Sequence, residues 1–138
     1  MNLRIDVVTI VVPDVTEAHA FYVERLGWEP AFVVPGEITF LPIADRRMVA
    51  LFGRADLAKD IGDGGSVPSF TLGQVFNTTE EVDAAVAAMA AAGAKVRKSP
   101  QRAVFFPGYH AYVEAADETV WEFVQNPGSQ LEVGPIDS

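Results

Sequence analysis

The sequence predicts an α+β fold built from two β-α-β-β-β modules within a single domain. Two apolar, strand-like segments, residues 5–12 and 70–77, are each followed by a helix-start signature. Each predicted helix ends at a glycine, and the two copies of this pattern keep a nearly constant spacing, which is typical of a duplicated unit. The length of 138 residues, with 49% hydrophobic and 21% charged residues, suits one globular domain with one core.

Each predicted helix begins at a cap side chain that is followed three residues later by a glutamate able to bond back to the cap. The two pairs are Asp14 with Glu17 and Thr78 with Glu81. The helices end at Gly27 and Gly93, since glycine readily adopts the left-handed conformation that ends a helix. The two glutamates lie 64 residues apart and the two glycines 66, so both ends of the helix recur at almost the same offset.

Apolar residues at helical spacing mark the buried face of each helix. The first stripe contains Val15, Ala18, Tyr22 and Leu26, and the second contains Val82, Val86 and Met89. The chain has two histidines, His19 and His110. We expect His19 on the solvent side of the first helix.

Three further strands are predicted after each helix, which completes both modules. They are residues 29–34, 37–43 and 47–52 in the first half and residues 94–97, 109–114 and 119–125 in the second. The expected divisions of the chain are module one at about 3–53, a linker with a short helix at about 54–67, module two at about 68–127 and a mobile C-terminal tail at 128–138.

Composition and charge exclude several classes of function. The formal net charge of −9 opposes binding to nucleic-acid phosphates and to anionic membrane surfaces, so neither partner is predicted. The chain has no cysteine, which excludes disulfides, thiolate nucleophiles and cysteine-based metal sites. The first residues lack the pattern of a signal peptide and the apolar stretches are too short to span a bilayer, so we expect a cytoplasmic protein.

One acid lies in an unusual place, because Glu122 interrupts the apolar segment Val-Trp-Glu-Phe-Val at residues 120–124. The β-branched and aromatic neighbours predict a buried strand. An unpaired carboxylate in such a strand is costly, so it needs a metal, a cationic side chain or a ligand as its partner. Glu122 is therefore the first candidate for a functional residue.

In these features the chain resembles the vicinal oxygen chelate superfamily, which contains glyoxalase I, bleomycin-resistance proteins, extradiol dioxygenases and methylmalonyl-CoA epimerase. The resemblance covers residues 5–127 and rests on Thr9-Ile10-Val11-Val12-Pro13-Asp14, Phe21-Tyr22 with Leu26-Gly27-Trp28, Val82-Asp83 with Ala92-Gly93-Ala94, and Trp121-Glu122 with Asn126-Pro127. It implies that the two modules curve into an open barrel with the helices outside and a ligand cavity inside. Ala115-Ala116-Asp117-Glu118 replaces the Asp-Pro-Asp-Gly turn that relatives often carry, so the last hairpin lacks two strong turn formers, a proline and a glycine.

Metal-dependent members of that superfamily place four metal ligands in the cavity. At the four corresponding positions of this sequence, only one residue is certain to be of a metal-binding type. The four positions fall at Val7, Ala50, a residue of the second module's first strand, and Glu122. The third is Gln74 when counted without a gap, or Thr71 if the following turn contains an insertion. Because Val7 and Ala50 cannot bind a metal, we predict neither a metal nor another cofactor.

The alternation of side chains along each strand predicts the rest of the cavity. Ala50 brings Met48 and Phe52 to the same face, Glu122 brings Val120 and Val124, and Val7 brings Ile5 and Thr9. Phe40, Phe105 and Phe106 are possible aromatic walls, although ordinary core is their commoner role. The resulting ligand-binding prediction names Val7, Ala50, Phe52, Gln74, His110 and Glu122, within a mainly apolar cavity.

His110 is predicted to lie across the last hairpin from the region of Val124, within reach of Glu122. Such an imidazole and carboxylate form an acid-base pair that works near neutral pH. The alternative is a histidine that is merely hydrogen-bonded within its strand. Arg97 and Arg102 offer a second possible ligand contact, for an anion, although a solvated role is the default for both.

These residues leave three interpretations of function. The first is a metal-independent binding protein of the bleomycin-resistance type, in which Glu122 anchors a small hydrophobic ligand bearing a cation or a hydrogen-bond donor. The second is a lyase, isomerase or dioxygenase that uses a residual metal or Glu122 as its catalytic general base. The third is a degenerate partner subunit retained for assembly. By analogy with relatives, we expect a homodimer in each case.

Overall fold

The computed structural model describes residues 4–44 and 47–125, in which the chain forms eight strands and three helices. The strands are β1 Val7–Val12, β2 Phe32–Val34, β3 Ile38–Ala44, β4 Arg47–Gly53, β5 Phe70–Phe76, β6 Lys95–Arg102, β7 Tyr109–Glu114 and β8 Val120–Gln125. The helices are α1 Val15–His19, which continues as a π-helical segment over Ala20–Arg25, α2 Arg54–Ile61 and α3 Thr79–Ala91. The Asn126-Pro127 motif and the predicted tail at 128–138 lie outside the described residues.

All eight strands form one curved sheet in the order β2-β3-β4-β1-β5-β8-β7-β6. Each module contributes four neighbouring strands, and the order within one module mirrors the order within the other about the central β1–β5 pair. The β1–β4 and β5–β8 pairs are parallel, whereas the remaining pairs are antiparallel. This symmetry confirms the predicted α+β class and its two β-α-β-β-β modules.

The two modules meet at the β1–β5 seam, where Val7 lies opposite Gly73. A side chain at Gly73 would bring its Cβ within 3.3 Å of the Val7 Cβ, so glycine allows the two strands to approach closely. The buried Asp6 carboxylate strengthens the seam, because its Oδ2 accepts hydrogen bonds from the Val75 backbone N–H at 2.8 Å and from Arg4 Nε at 3.0 Å.

Helix α3 covers the convex face of module two, as its apolar stripe predicts. Its buried residues pack with residues of β7 and β8 in one cluster, Val82, Ala85, Val86, Ala111, Val113 and Phe123. The predicted capping box is present, with Thr78 and Glu81 each bonding to the other's backbone N–H. Gly93 follows the helix with a φ of 104°. The capping and apolar signals therefore agree with the structure at this helix.

The buried face of the first helix differs from the predicted apolar stripe after the first turns of the helix. Leu26 donates its N–H to the Phe21 carbonyl, a bond between residues five apart that is characteristic of a π-helix. This wider turn changes the phase of the helix, so Leu26 is half exposed rather than buried. His19 also differs from expectation, because its Nδ1 bonds to Thr39 Oγ1 of the sheet at 3.0 Å instead of facing solvent.

The linker helix α2 packs at one end of the concave face instead of on the outside with the module helices. Its Leu57 and Ile61 share an apolar cluster with Val11, Phe52, Tyr112 and Val120, which come from both modules. Asp60 is buried between these apolar positions and lines the cavity. The linker is therefore part of the core and closes one end of the curved sheet.

The loop after α2 is fixed to β6 by Arg97, which was expected to be solvated and is instead 7% exposed. Its guanidinium bonds to both carboxylate oxygens of Asp63, at 2.8 and 2.9 Å, to the Ser66 carbonyl at 2.8 Å and to Glu114 at 3.2 Å. The guanidinium lowers the pKa of Asp63, and Asp63 raises the pKa of Arg97. Burial of Arg97 is thus compensated by two carboxylates.

None of the helices within the described residues has the length and apolar character needed to cross a membrane.

Candidate functional site

The concave face of the sheet encloses a cavity of about 100 Å³ with mainly apolar walls. Its aliphatic lining consists of Val7, Val34, Ile38, Val75 and Val124, and its aromatic lining of Phe32, Phe40, Phe52, Phe105, Phe106 and Tyr112. The polar side chains that line it are Thr9, Glu37, Asp60 and Glu122. The cavity therefore combines aromatic walls with three acidic side chains.

Strand register brings several of the predicted site residues together on this face. Val7 pairs with Gly73 of β5, and Gly73 pairs with Glu122 of β8, so these positions share one face across the seam. Phe52 lines the cavity, whereas Ala50 is not among the lining residues and packs in a cluster with Phe40, Met48 and Val75.

Gln74 lies on the opposite face from Glu122, which corrects its predicted place in the cavity. It pairs with Phe123, whose side chain packs under helix α3 on the convex side. Its buried Oε1 has no hydrogen-bond partner among the described residues. The alternative residue, Thr71, is the one that shares the concave face, since it pairs with the cavity-lining Thr9. Because side chains alternate, an odd error in alignment moves a residue to the other face.

Glu122 is the first member of a chain of hydrogen bonds that continues into the core. His110 Nδ1 lies 2.7 Å from Glu122 Oε2, and His110 Nε2 lies 2.9 Å from Lys98 Nζ. A lysine ammonium can only donate hydrogen bonds, so His110 Nε2 accepts from Lys98. The ring proton is then on Nδ1, which donates it to Glu122. Lys98 also donates to the Asp60 backbone carbonyl at 2.7 Å. Glu122 is 17% exposed at its side chain while His110 is fully buried, so the carboxylate is the member nearer the cavity.

Asp60 and Tyr112 form the second part of the site. The Tyr112 hydroxyl donates to Asp60 Oδ2 at 2.5 Å, and both side chains line the cavity. Burial and the nearby carboxylates of Glu122 and Asp60 raise the pKa of Tyr112 well above its usual value, so the phenol keeps its proton and remains a donor. Asp60 Oδ1, in contrast, is buried and has no hydrogen-bond partner among the described residues.

The residues do not fit a metal at the four positions that the family resemblance indicates, because Val7 and Ala50 offer no ligand atom. A different trio, Asp60, His110 and Glu122, does place three ligand-type atoms within 4.8 Å of one another. Both ring nitrogens of His110 are already bonded, however, and Lys98 Nζ lies 3.7 Å from Asp60 Oδ1. The lysine thus supplies the positive charge of this trio.

The sequence predicts that Glu122 and His110 lie within reach of each other, but it does not predict Asp60 and Lys98 as members of the same group. A signal for Asp60 is present, since Leu57, Asp60 and Ile61 have the spacing of the buried face of a helix and an acid at such a position is unusual. Lys98 gives no comparable signal, because its inward position depends on register irregularities on both sides of it in the β6–β7 pairing.

Comparison with protein families agrees with this architecture. The model of the Glyoxalase/Bleomycin resistance protein/Dioxygenase superfamily matches residues 4–123. No curated protein is similar enough in sequence to match the chain.

Several solved structures share the fold at low sequence identity. One named NAD-dependent benzaldehyde dehydrogenase, from Legionella pneumophila, has a TM-score of 0.68 and 16% identity over 86% of this chain and 96% of that one. A glyoxalase/bleomycin resistance protein/dioxygenase superfamily member from Vibrio splendidus 12B01 has a TM-score of 0.59 and 20% identity over 91% and 100%. The Mn(II)-bound glyoxalase from Novosphingobium aromaticivorans has a TM-score of 0.60 and 20% identity over 97% of this chain and 41% of that one. At these identities the likeness establishes the fold alone.

Proposed function

We propose that this chain, which belongs to the Glyoxalase/Bleomycin resistance protein/Dioxygenase superfamily, is a small-molecule-binding protein. Its ligand lies in the mainly apolar cavity and is anchored there by Glu122. The cavity holds its ligand without a metal, because aliphatic residues occupy two of the four positions where metal-dependent relatives carry ligands. The protein then acts by sequestering or sensing the ligand rather than by converting it.

The observation that carries this proposal is the position of Glu122 at the boundary between the cavity and a buried hydrogen-bond chain. One oxygen of its carboxylate bonds to His110 at 2.7 Å, which fixes the side chain, and the partly exposed carboxylate borders the cavity. A fixed polar group in an apolar cavity orients a ligand, while the aromatic walls supply most of the buried contact area.

A thermal-shift screen with one-ring aromatic compounds of different charge tests the proposal. A compound that binds only the folded state raises Tm, and at a hundred times its Kd it stabilises the protein by about 2.7 kcal/mol, enough for a shift of several degrees. We expect at least one such compound, with a smaller shift for Glu122→Gln than for the wild type. Glu24→Gln, which changes an exposed acid on the first helix, is the matched control. Turnover of the stabilising compounds, or no stabilisation by any of them, would contradict the proposal.

The alternative function is a lyase, isomerase or dioxygenase of the same superfamily, for which the Glu122–His110 bond is the favouring observation. The bond positions Glu122 beside bound substrate as a general base, and His110, with Lys98 behind it, stabilises the carboxylate through its Nδ1 proton. No step through a metal follows from the residues present.

The two functions differ in what Glu122→Gln does to turnover. If Glu122 is a general base, the wild type turns over a thiohemiacetal substrate and the variant loses about 10²-fold or more in kcat, whereas its KM changes little. If the protein only binds, neither form has activity above the uncatalysed reaction. If Glu122→Gln loses ligand binding and the wild type has no activity, the results favour the first function.

A further inference from the structure

We propose that the cavity is selective for a small organic cation, an aromatic or aliphatic ammonium whose N–H groups face Asp60 and Glu122. This inference rests on the proposed function, since it assigns the chemical class of the ligand held in the same cavity. Two observations carry it, the count of charges around the site and an acceptor that lacks a hydrogen bond.

The charges that meet at the buried end of the cavity do not balance. Asp60 and Glu122 contribute two carboxylates, and Lys98 contributes one ammonium, which bonds to His110 and to the Asp60 backbone carbonyl. The neutral imidazole of His110 and the protonated phenol of Tyr112 add no charge. Among the described residues, one of these two negative charges therefore lacks a compensating cation, and Glu37 contributes a further negative charge to the cavity lining.

The unpaired acceptor belongs to Asp60, whose side chain lines the cavity and whose Oδ1 lies beside Lys98 and His110. Asp60 is 3% exposed, and its Oδ1 accepts no hydrogen bond among the described residues although Oδ2 accepts from Tyr112. The nearest cationic atom, Lys98 Nζ, lies 3.7 Å away, beyond hydrogen-bonding distance. A buried carboxylate oxygen without a donor leaves the charge of Asp60 incompletely compensated, and an organic ammonium in the cavity that Asp60 lines is attracted to that charge.

The remaining walls suit the carbon part of such a ligand. Phe52 and Phe105 pack edge to face at 5.8 Å between ring centroids, and Phe106 contacts the His110 ring edge to face at 5.4 Å. Aromatic faces attract organic cations, and they also exclude the water that would otherwise solvate the ammonium. An anionic ligand would be disfavoured, since the two carboxylates would repel it and the apolar walls would not solvate its charge.

Benzylamine, benzyl alcohol and benzoate test the inference, because they have the same ring and nearly the same size but carry a positive charge, no charge and a negative charge at pH 7. Titration calorimetry with the full chain should show benzylamine binding at least about tenfold more tightly than benzyl alcohol, with no detectable binding of benzoate.

Two variants change the charge balance in opposite directions. Asp60→Asn removes a carboxylate and should weaken benzylamine binding about tenfold or more while leaving benzyl alcohol nearly unchanged. Lys98→Met removes the internal ammonium and should tighten benzylamine binding by about tenfold, because both carboxylates are then uncompensated. Glu24→Gln again serves as the control, and binding of benzyl alcohol shows that the cavity of each variant is intact.

The outcomes separate this inference from the function on which it rests. Equal binding of benzylamine and benzyl alcohol, with no effect of Asp60→Asn, overturns the cation selectivity and leaves a binding protein with a neutral ligand. If Mn²⁺ binds the wild type and excludes benzylamine, the cation held in the cavity is a metal ion and the inference of an organic cation is overturned. If benzylamine, benzyl alcohol and benzoate do not bind at millimolar concentration but other one-ring compounds of the screen raise Tm, the cation inference fails and the binding function stands.

Discussion

Tyr112 shows how a single residue couples the site to the stability of the core. Its ring belongs to the apolar cluster shared by both modules, whereas its hydroxyl donates to Asp60 Oδ2 at 2.5 Å. The same side chain therefore contributes apolar burial and satisfies one oxygen of a buried carboxylate. Removing only the hydroxyl separates these two contributions.

We predict that Tyr112→Phe lowers the free energy of unfolding at pH 7 by about 1–3 kcal/mol, because Asp60 then loses a buried donor. The pKa of Tyr112 is raised in the folded state, so its contribution is present below about pH 10, where an unfolded tyrosine keeps its proton. Above that pH the unfolded state ionises first and the contribution declines. Urea unfolding at pH 7 and near pH 10.5 should show a smaller difference between wild type and variant at the higher pH. Tyr22→Phe, at a half-buried ring outside the cluster, is the control, and a difference that does not depend on pH would refute the assignment.

The sequence predicts individual site residues only where their surroundings make them anomalous. Glu122 stands out because an acid is rare inside an apolar strand, and the position of His110 follows from the centre of the last hairpin, which pairs it with Val124 as predicted. Gln74 was placed in the cavity by counting residues back from the second module's helix. That count crosses a strand-to-helix turn whose length differs between the two modules. Lys98 and Asp60 depend on strand register and on helix packing, which local sequence does not specify.

At the scale of elements, Arg97 fixes the loop after α2 to β6 and so holds the linker helix, with Asp60, against the cavity. The guanidinium bonds to Asp63 and to the Ser66 carbonyl of the loop, and it reaches Glu114 of β7. Gly65 allows this arrangement, because a Cβ there would lie 2.5 Å from an Arg97 nitrogen. Arg97 therefore adds to the apolar contacts of Leu57 and Ile61 that hold α2 in place.

We predict that Asp63→Asn destabilises the protein by about 1–2 kcal/mol at pH 7, because Arg97 stays buried with a weaker partner. The pKa of Asp63 is lowered in the folded state, so its contribution is complete above about pH 4 and is lost as pH falls below that value, where the unfolded state binds a proton first. The difference in urea midpoint between wild type and variant should therefore be smaller at pH 3 than at pH 7. Glu24→Gln should follow the wild type at every pH, and a gap that persists unchanged at pH 3 would rule out the ion pair as its cause.

Elements with strong local signals could be predicted closely, and those set by hydrogen bonding at longer range could not. The capping box and left-handed glycine at α3 are local, so its ends agree with the sequence. The π-helical turn after α1 carries no distinct composition, and it invalidated the stripe through Leu26. The last hairpin forms although the Asp-Pro-Asp-Gly turn is missing, because Glu118 itself adopts a positive φ of 72°.

At the scale of the whole molecule, the duplicated modules share an apolar cluster, in addition to the cluster that module two forms under helix α3. The cluster that contains Val11 and Phe52 of module one also contains Tyr112 and Val120 of module two, and the linker helix completes it. The seam between β1 and β5 adds a continuous backbone ladder between the modules. The repeat was visible in the spacing of caps and glycines, but that spacing does not specify whether the copies share their interior.

A shared core predicts that both modules unfold in a single cooperative transition, and the two tryptophans of the chain allow a direct test. Trp28 of module one stacks on Tyr22 at 5.0 Å, and Trp121 of module two stacks on Phe123 at 6.5 Å. Trp121→Phe leaves a reporter in module one only, and Trp28→Phe leaves a reporter in module two only.

In each variant, the urea midpoint from tryptophan fluorescence should coincide with the midpoint from circular dichroism at 222 nm, because loss of either module exposes the cluster that the other needs. Comparing each variant with its own circular dichroism removes any difference in stability between the two variants. Modules with separate cores would give midpoints displaced in opposite directions in the two variants. A displacement of that kind would mean that the cavity forms from independently stable halves, and a ligand that contacts both halves would then stabilise the earlier transition alone, since that transition destroys the cavity.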